Sequence, residues 1–292
     1  MRDPILPPEL ERPIFELCAL DRPVLIPTLM LVACRVKEWM EAILWRTVIT
    51  GPKPIDGSLS FSHETICRAL QSQRHVLRDF VRNLLVFDLN GPGYEGLVPA
   101  CSRLENLWVW DWYTPADLTR LSAATLKRLH SFTLPVALTS GNANLSLGMF
   151  SQLTHMEIMG WTGTDSEVDV FCHRVALLPC LTHLAFSRDT YASAYLRLLR
   201  NCASLRVLFA VESRLPDVEQ LEVDVRFVVW GQLWTWVADW QRGAQKGVDY
   251  WCVVEGYIAK RERGEVDRLR YVMPDEEWND ESLHSYNPFR DF

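Results

Sequence analysis

The chain has 292 residues, 48% apolar and 23% charged, and its 30 basic against 37 acidic residues leave a net charge of −7. That balance excludes an intrinsically disordered chain and speaks against a binder of nucleic acid, which needs a clustered basic face. The longest apolar run, Val24–Cys34, is broken by Pro27. It is too short to span a bilayer and is not placed as in a signal peptide, so an intracellular protein (cytoplasmic, nuclear or both) with no membrane contact is expected. Eight cysteines spread along the chain without a CxxC pair fit reduced thiols.

Leu6-Pro7-Pro8-Glu9-Leu10 predicts a helix start, with proline in the first turn and acid at the positive helix end. Leu10, Ile14, Leu17 and Cys18 recur at helical spacing, while Pro13 is expected to kink or restart that helix, at a cost of roughly 3 kcal/mol if truly interior. After Asp21-Arg22-Pro23, residues Leu29, Val32, Ala33, Val36, Trp39, Met40, Ile43 and Leu44 predict a second helix with one apolar face. Two short helices with such faces need a partner, either the rest of the chain or another protein.

The string Leu6-Pro7-x-Glu9-Leu10, then Ile14-Phe15, then Leu31-Val32-Ala33-Cys34-Arg35 resembles an F-box, the adaptor-binding helical module of SCF-type ubiquitin ligases. Val36 stands where such modules carry tryptophan, and Trp39 follows one turn later. The resemblance implies a Skp-type adaptor as partner, and through it the cullin–RING core, with Leu6, Pro7, Glu9, Leu10, Ile14, Phe15, Leu31 and Val32 as adaptor-binding residues.

From residue 84 a pattern L-x-x-L-x-L recurs, as Leu84-Phe87-Leu89, Leu104-Leu107-Val109, Leu129-Phe132-Leu134, Leu153-Met156-Ile158, Leu181-Leu184-Phe186, Leu205-Leu208-Ala210 and, more weakly, Val225-Val228-Trp230. The intervals fit leucine-rich repeats, whose units run roughly 20–29 residues. Between the strands, Thr114-Pro115-Ala116-Asp117, a segment from Asp165 or Ser166 to Val175, and Tyr191–Leu199 read as helices. Strand, turn and helix in alternation form the unit of a curved solenoid. Cys101 and Cys202, each three residues before a repeat leucine, resemble the cysteine-containing repeats that follow many F-boxes.

Trp234, Val237 and Ala238, then Trp251, Val254 and Ile258, predict helices closing the open end of the solenoid, with Lys260-Arg261-Glu262-Arg263-Gly264 as a cationic helix end. Arg226-Phe227-Val228-Val229, Asp239-Trp240 and Gly243-Ala244 with Trp251 resemble the closing segment of F-box-like proteins abundant in mushroom-forming fungi. The expected architecture is α/β: an F-box-like helical module (1–50), an irregular leucine-rich-repeat solenoid (51–231), C-terminal capping helices (232–273) and a loose acidic tail (274–292).

No catalytic, cofactor or metal site is expected. Gly91-x-Gly93-x-x-Gly96 follows a strand, but the next strand begins too soon for a dinucleotide-binding helix. Cys172-His173 and Cys180-x-x-His183 have zinc-like spacing, yet the repeat leucines already commit that segment to a strand. The residues alternating with the repeat leucines are expected on an exposed concave face that holds a target protein: Asp88, Asn90, Trp108, Trp110, Thr133, Glu157, Met159, Ala185, Ser187, Phe209 and Val211. Its apolar members suit a partner site, unless the tail after Pro274, with Trp278 and Phe289, folds back over it. The resemblance implies the substrate-recognition subunit of an SCF-type ligase. The alternative is a leucine-rich-repeat interaction scaffold whose F-box-like cap no longer engages the ligase.

Overall fold

The computed structural model describes residues 7–50, 59–87, 96–109, 126–131, 148–159, 164–187, 190, 192–211, 224–231 and 236–277. It is mixed α/β, and the chain divides into two units, residues 1–104 and 105–292. The division falls after Leu104, so the first unit takes in strands and helices besides the N-terminal helical module.

In the first unit, α1 (Pro8–Asp21) starts on the proline, where a missing N–H leaves no bond unmade. Pro13 lies inside it without restarting the helix. A 3₁₀ turn (Pro23–Leu25), α2 (Ile26–Leu29) and α3 (Cys34–Leu44) follow. The single second helix expected from Leu29 to Leu44 is therefore broken. Leu31 and Val32 sit in the turn between α2 and α3, and extended Ala33 caps α3. Ala19, Ile26, Val36 and Met40 form the module's core, with Phe15, Trp39, Ile43 and Leu44 packed against it. Glu11 and Arg35 tie α1 to α3 through two parallel bonds of 2.8 and 2.9 Å, the fork geometry that suits arginine to carboxylate.

Strand β1 (Thr47–Thr50) pairs in parallel with β2 (Asn83–Val86). Between them lie α4 (His63–Ser72), capped by the Ser62 hydroxyl, and α5 (Arg74–Phe80); α6 (Leu97–Ala100) follows β2. The free side of β1 is covered by Phe61, whose N–H donates to the Ile49 carbonyl at 2.8 Å and whose ring meets Trp45.

The second unit has six strands, β3 (Asn106–Val109), β4 (Arg128–Ser131), β5 (His155–Met159), β6 (His183–Ser187), β7 (Val207–Val211) and β8 (Phe227–Trp230), each parallel to the next in an open sheet. Among the connectors, α7 (Gly148–Ser151), α8 (Asp165–Val175) and α9 (Ala192–Asn201) are described. Thr164, rather than Asp165 or Ser166, caps α8, in a reciprocal pair with Glu167. The expected helix at Thr114 lies outside the described residues.

Hydrogen-bond register sets the phase of the repeats. Leu107, Leu129, Met156, Leu184, Leu208 and Phe227 stand in one row across the sheet. The third copy is therefore Leu126-Leu129-Ser131, three residues earlier than expected, and the last is centred on Phe227 and Val229. In the first unit, Val81-Leu84-Val86 is the buried triplet of β2, again three residues earlier, and β1 carries an unforeseen copy, Trp45-Val48-Thr50. One backbone device recurs before the strands: Arg46 O accepts from Arg82 and Asn83 N–H, Glu105 O from Lys127 and Arg128, Lys127 O from Thr154 and His155, and Thr154 O from Thr182 and His183.

The Leu107 row faces α8 and α9, where Phe186 meets Phe171 and Tyr195, and Tyr195 meets Phe227. The other face meets α10 (Trp236–Lys246) and α11 (Tyr250–Glu262). These helices were expected to close the solenoid's end; they lie on the sheet's face instead. The end is covered by the next segment, where Val229 N–H donates to Tyr271 O and Met273 N–H to Val229 O. The start of the acidic tail is docked too, with Trp230 Nε1 donating to Asp275 at 2.8 Å and Lys260 paired with Glu277.

Candidate functional site

Two surfaces expected to bind partners have opposite fates. The first is α1 and the turns after it. With 100° of rotation per residue, Phe15 and Ala19 point one way and Leu10, Ile14 and Leu17 the other. The Glu11–Arg35 fork and the Ala19–Ile26–Val36–Met40 core fix the first direction inward. Leu10, Ile14 and Leu17 are thereby held in solvent, Leu17 at 67% exposure, with Leu20, Val24 and Leu25 also exposed. In the turn before α3, Leu31 is 85% exposed and Val32 is exposed as well. Soluble proteins expose single leucines freely, but this many within one helix and two turns is the usual mark of a partner site.

Of the residues expected to bind an adaptor, Pro7, Glu9, Leu10, Ile14, Leu31 and Val32 are exposed and Leu6 lies outside the described residues. Phe15 is corrected: it is half-buried against the module's core and holds α1 in place. Leu17, three residues beyond Ile14 on the same side, joins the exposed set; helical spacing carried that signal. Val36 lies wholly inside the module.

The second surface is the sheet face opposite α8 and α9, expected to be open. It is closed. Trp108 is 1% exposed, and Glu157, Met159, Ala185, Ser187, Phe209 and Val211 are all buried. Trp108 meets Trp240 edge-on, Phe209 stacks on Tyr250, and Trp251 covers His155 and His183. The cover comes from α10 and α11; Trp278 and Phe289 of the tail lie outside the described residues. Asp88, Asn90, Trp110 and Thr133 also lie outside them. The expected concave target site is therefore withdrawn for every described member, because the apolar side chains that suggested a partner are used by the chain's own helices.

Several polar groups in this closed layer are matched internally, while the buried Trp251 Nε1 has no hydrogen-bond partner among the described residues. Glu157 accepts from the Ser187 hydroxyl at 2.6 Å and from the Tyr250 hydroxyl at 3.0 Å. Burial, then the neighbouring Glu157 charge, raises the Tyr250 phenol well above its usual range. At the α10–α11 joint, Asp239 accepts from Tyr250 N–H and from Arg242, while Asp249 caps α11 through Trp251 N–H and pairs with Arg128. Burial first, then the charge of Asp249, pushes the Asp239 carboxyl up to about 7. Arg261, part of the expected cationic helix end, is buried and donates to the carbonyls of Val225, Phe227 and Arg268.

Cys101 and Cys172, pushed up to about 12 by burial, and Cys202, to about 11, are poor nucleophiles. Among the described residues no group of three or more His, Cys, Asp or Glu side chains could hold a metal ion, and no helix is long and apolar enough to cross a membrane. No family model, curated protein or solved structure matches the chain.

Proposed function

We propose that the chain is the substrate-recognition subunit of an SCF-type ubiquitin ligase, docking a Skp-type adaptor on α1 and the turn before α3. The observation that carries this reading is the outward apolar face of Leu10, Ile14 and Leu17 with Leu31 and Val32, on residues that match the F-box pattern. The fork of Glu11 and Arg35 supports it by fixing that face without using any of its side chains. The repeated L-x-x-L-x-L triplets on parallel strands, with the recurring two-to-one backbone bonds before them, support an irregular leucine-rich-repeat solenoid as the receptor part.

In this reading the protein does no covalent chemistry and works inside the cell. It lowers the entropic cost of bringing a target lysine to a charged ubiquitin carrier. The target rests on a surface other than the sheet face under α10 and α11. The test is capture of a purified Skp-type adaptor by the full chain. Binding lost on Leu10→Asp, with the thermal midpoint unchanged, supports the reading; adaptor capture absent in the wild type, or equal in the variant, overturns it.

A further inference from the structure

The row of residues that opens the strands of the second unit holds two histidines in register, His155 on β5 and His183 on β6. Their rings stack at 4.0 Å between centroids and 10° between planes, and the Trp251 indole of α11 stands edge-on to both, at 5.3 and 5.5 Å. Each follows a threonine whose hydroxyl lies 2.8 Å from its Nδ1, Thr154 for His155 and Thr182 for His183. His183 Nε2 lies 2.9 Å from a carboxylate oxygen of Glu255, one turn beyond Trp251 on α11. We propose that this stacked pair is a proton-sensitive seat for α11, holding the helix on the sheet while the rings are neutral and loosening it when the pair takes up protons in mildly acid solution.

With His183 neutral, Thr182 donates to Nδ1 and the Nε2–H donates to Glu255, so every group has a partner. A proton on Nδ1 turns that nitrogen into a donor and frees the Thr182 hydroxyl to donate to the Thr154 carbonyl, 3.2 Å away. The bonds survive one such change, but the charge sits in a buried stack. From α11, Glu255 favours it. From the strands, Arg128 and Arg206 oppose it, Arg128 being itself paired with Asp249 of the α10–α11 joint. A second proton on the facing ring would put two like charges in van der Waals contact. Burial, the largest influence, holds the His183 imidazole below its usual range, consistent with that geometry. A lowered histidine contributes stability that is present above its unfolded value and lost as pH falls through its folded one.

Hydrogen exchange of the full chain tests this. The chain carries Asp239→Asn throughout, which removes the oppositely acting carboxyl at the α10–α11 joint. Protection of residues 250–262, corrected for the intrinsic rate, is then expected to fall about tenfold between pH 7.5 and 5.5 while that of α8 and α9 holds. One histidine with an unfolded value near 6.5 and a lower folded one allows that change. The variant carrying His155→Phe and His183→Gln should lose this fall. Glu255→Gln, at the exposed end of the network, should move it to lower pH by removing the group that favours the imidazolium. A fall shared equally with α8 and α9, a fall kept in the double variant, or a midpoint unmoved by Glu255→Gln overturns the proposal.

Discussion

The outer face of α1 and the inner layer under α10 and α11 are made of the same kinds of residue. Leu10, Ile14 and Leu17 recur as regularly as Trp108, Met159 and Phe209, yet the first set stands in water and the second does not. The difference lies in what comes later in the chain. Residues 236–262 supply Trp240, Tyr250 and Trp251 to the sheet, whereas Leu10, Ile14 and Leu17 on the side of α1 opposite its core residues are exposed among the described residues. An apolar stripe therefore marks a binding site only after the rest of the chain has been asked whether it supplies the partner.

The largest expected contrast comes from placing a charge in each set. Phe209→Asp should remove the native state of the second unit, since an unpaired buried carboxylate beside a cavity costs more than about 4 kcal/mol. Leu10→Asp should change stability by no more than about 0.5 kcal/mol while abolishing adaptor capture. Chemical unfolding followed by tryptophan fluorescence measures both, and similar losses in the two variants would erase the contrast.

Next in size is Arg261→Met. It leaves carbonyl groups of Val225, Phe227 and Arg268 without their donor and should lower the urea midpoint by the equivalent of about 2–4 kcal/mol. Arg12→Met, at an exposed i,i+4 pair of α1, should be nearly silent.

Two glycines sharpen the picture within the cover itself. A Cβ on Gly243 would stand 2.6 Å from Asp249 Oδ2 and 2.8 Å from its Cβ, whereas on Gly256 it would meet nothing within 4 Å. Gly243→Ala should therefore destabilise by about 1–3 kcal/mol through the α10–α11 joint. Gly256→Ala, on the exposed side of α11, should stabilise by up to about 1 kcal/mol. Thermal unfolding of the pair reads the sign directly.

The smallest effect is in pH. Asp239, raised to about 7 in the folded chain, contributes stability that is fully present below its unfolded value near 3.8 and is lost as pH rises through about 7. His183, lowered, acts in the opposite sense on the acid side. The two groups act with opposite sign in the same acid window, so urea midpoints across pH 5–8 should show a net fall only between about pH 6.5 and 7.5. Asp239→Asn should abolish that fall and uncover the acid-side loss set by His183. A wild-type curve rising steadily through pH 8 would contradict the Asp239 assignment.

The start of α1, the helix ending at Val175 and the strand at each repeat were legible because each rests on local rules, proline at a helix start and leucine at fixed spacing, whereas the cap of α8 falls on Thr164, one residue earlier than expected. Phase was not. Leu126-Leu129-Phe132 and Val81-Leu84-Phe87 each contain two overlapping frames three residues apart, and in each case both frames carry apolar residues at the first two positions of the pattern. Only the register of backbone bonds between neighbouring strands selects one.

By itself the sequence determined that strands and helices alternate, that residues 8–44 are mainly helical, and that two apolar surfaces exist, because periodicity and capping act over a few residues. Tertiary structure decided which surface stays open, since that depends on contacts such as Trp108 with Trp240 and Glu157 with Tyr250, whose partners lie far apart in the chain. It also decided that Phe15 turns inward, where the Glu11–Arg35 fork sets the rotation of α1. The hydrophobic effect has no direction of its own; an apolar side chain is buried by whatever the fold brings to it, and nothing in its own neighbourhood of sequence names that partner.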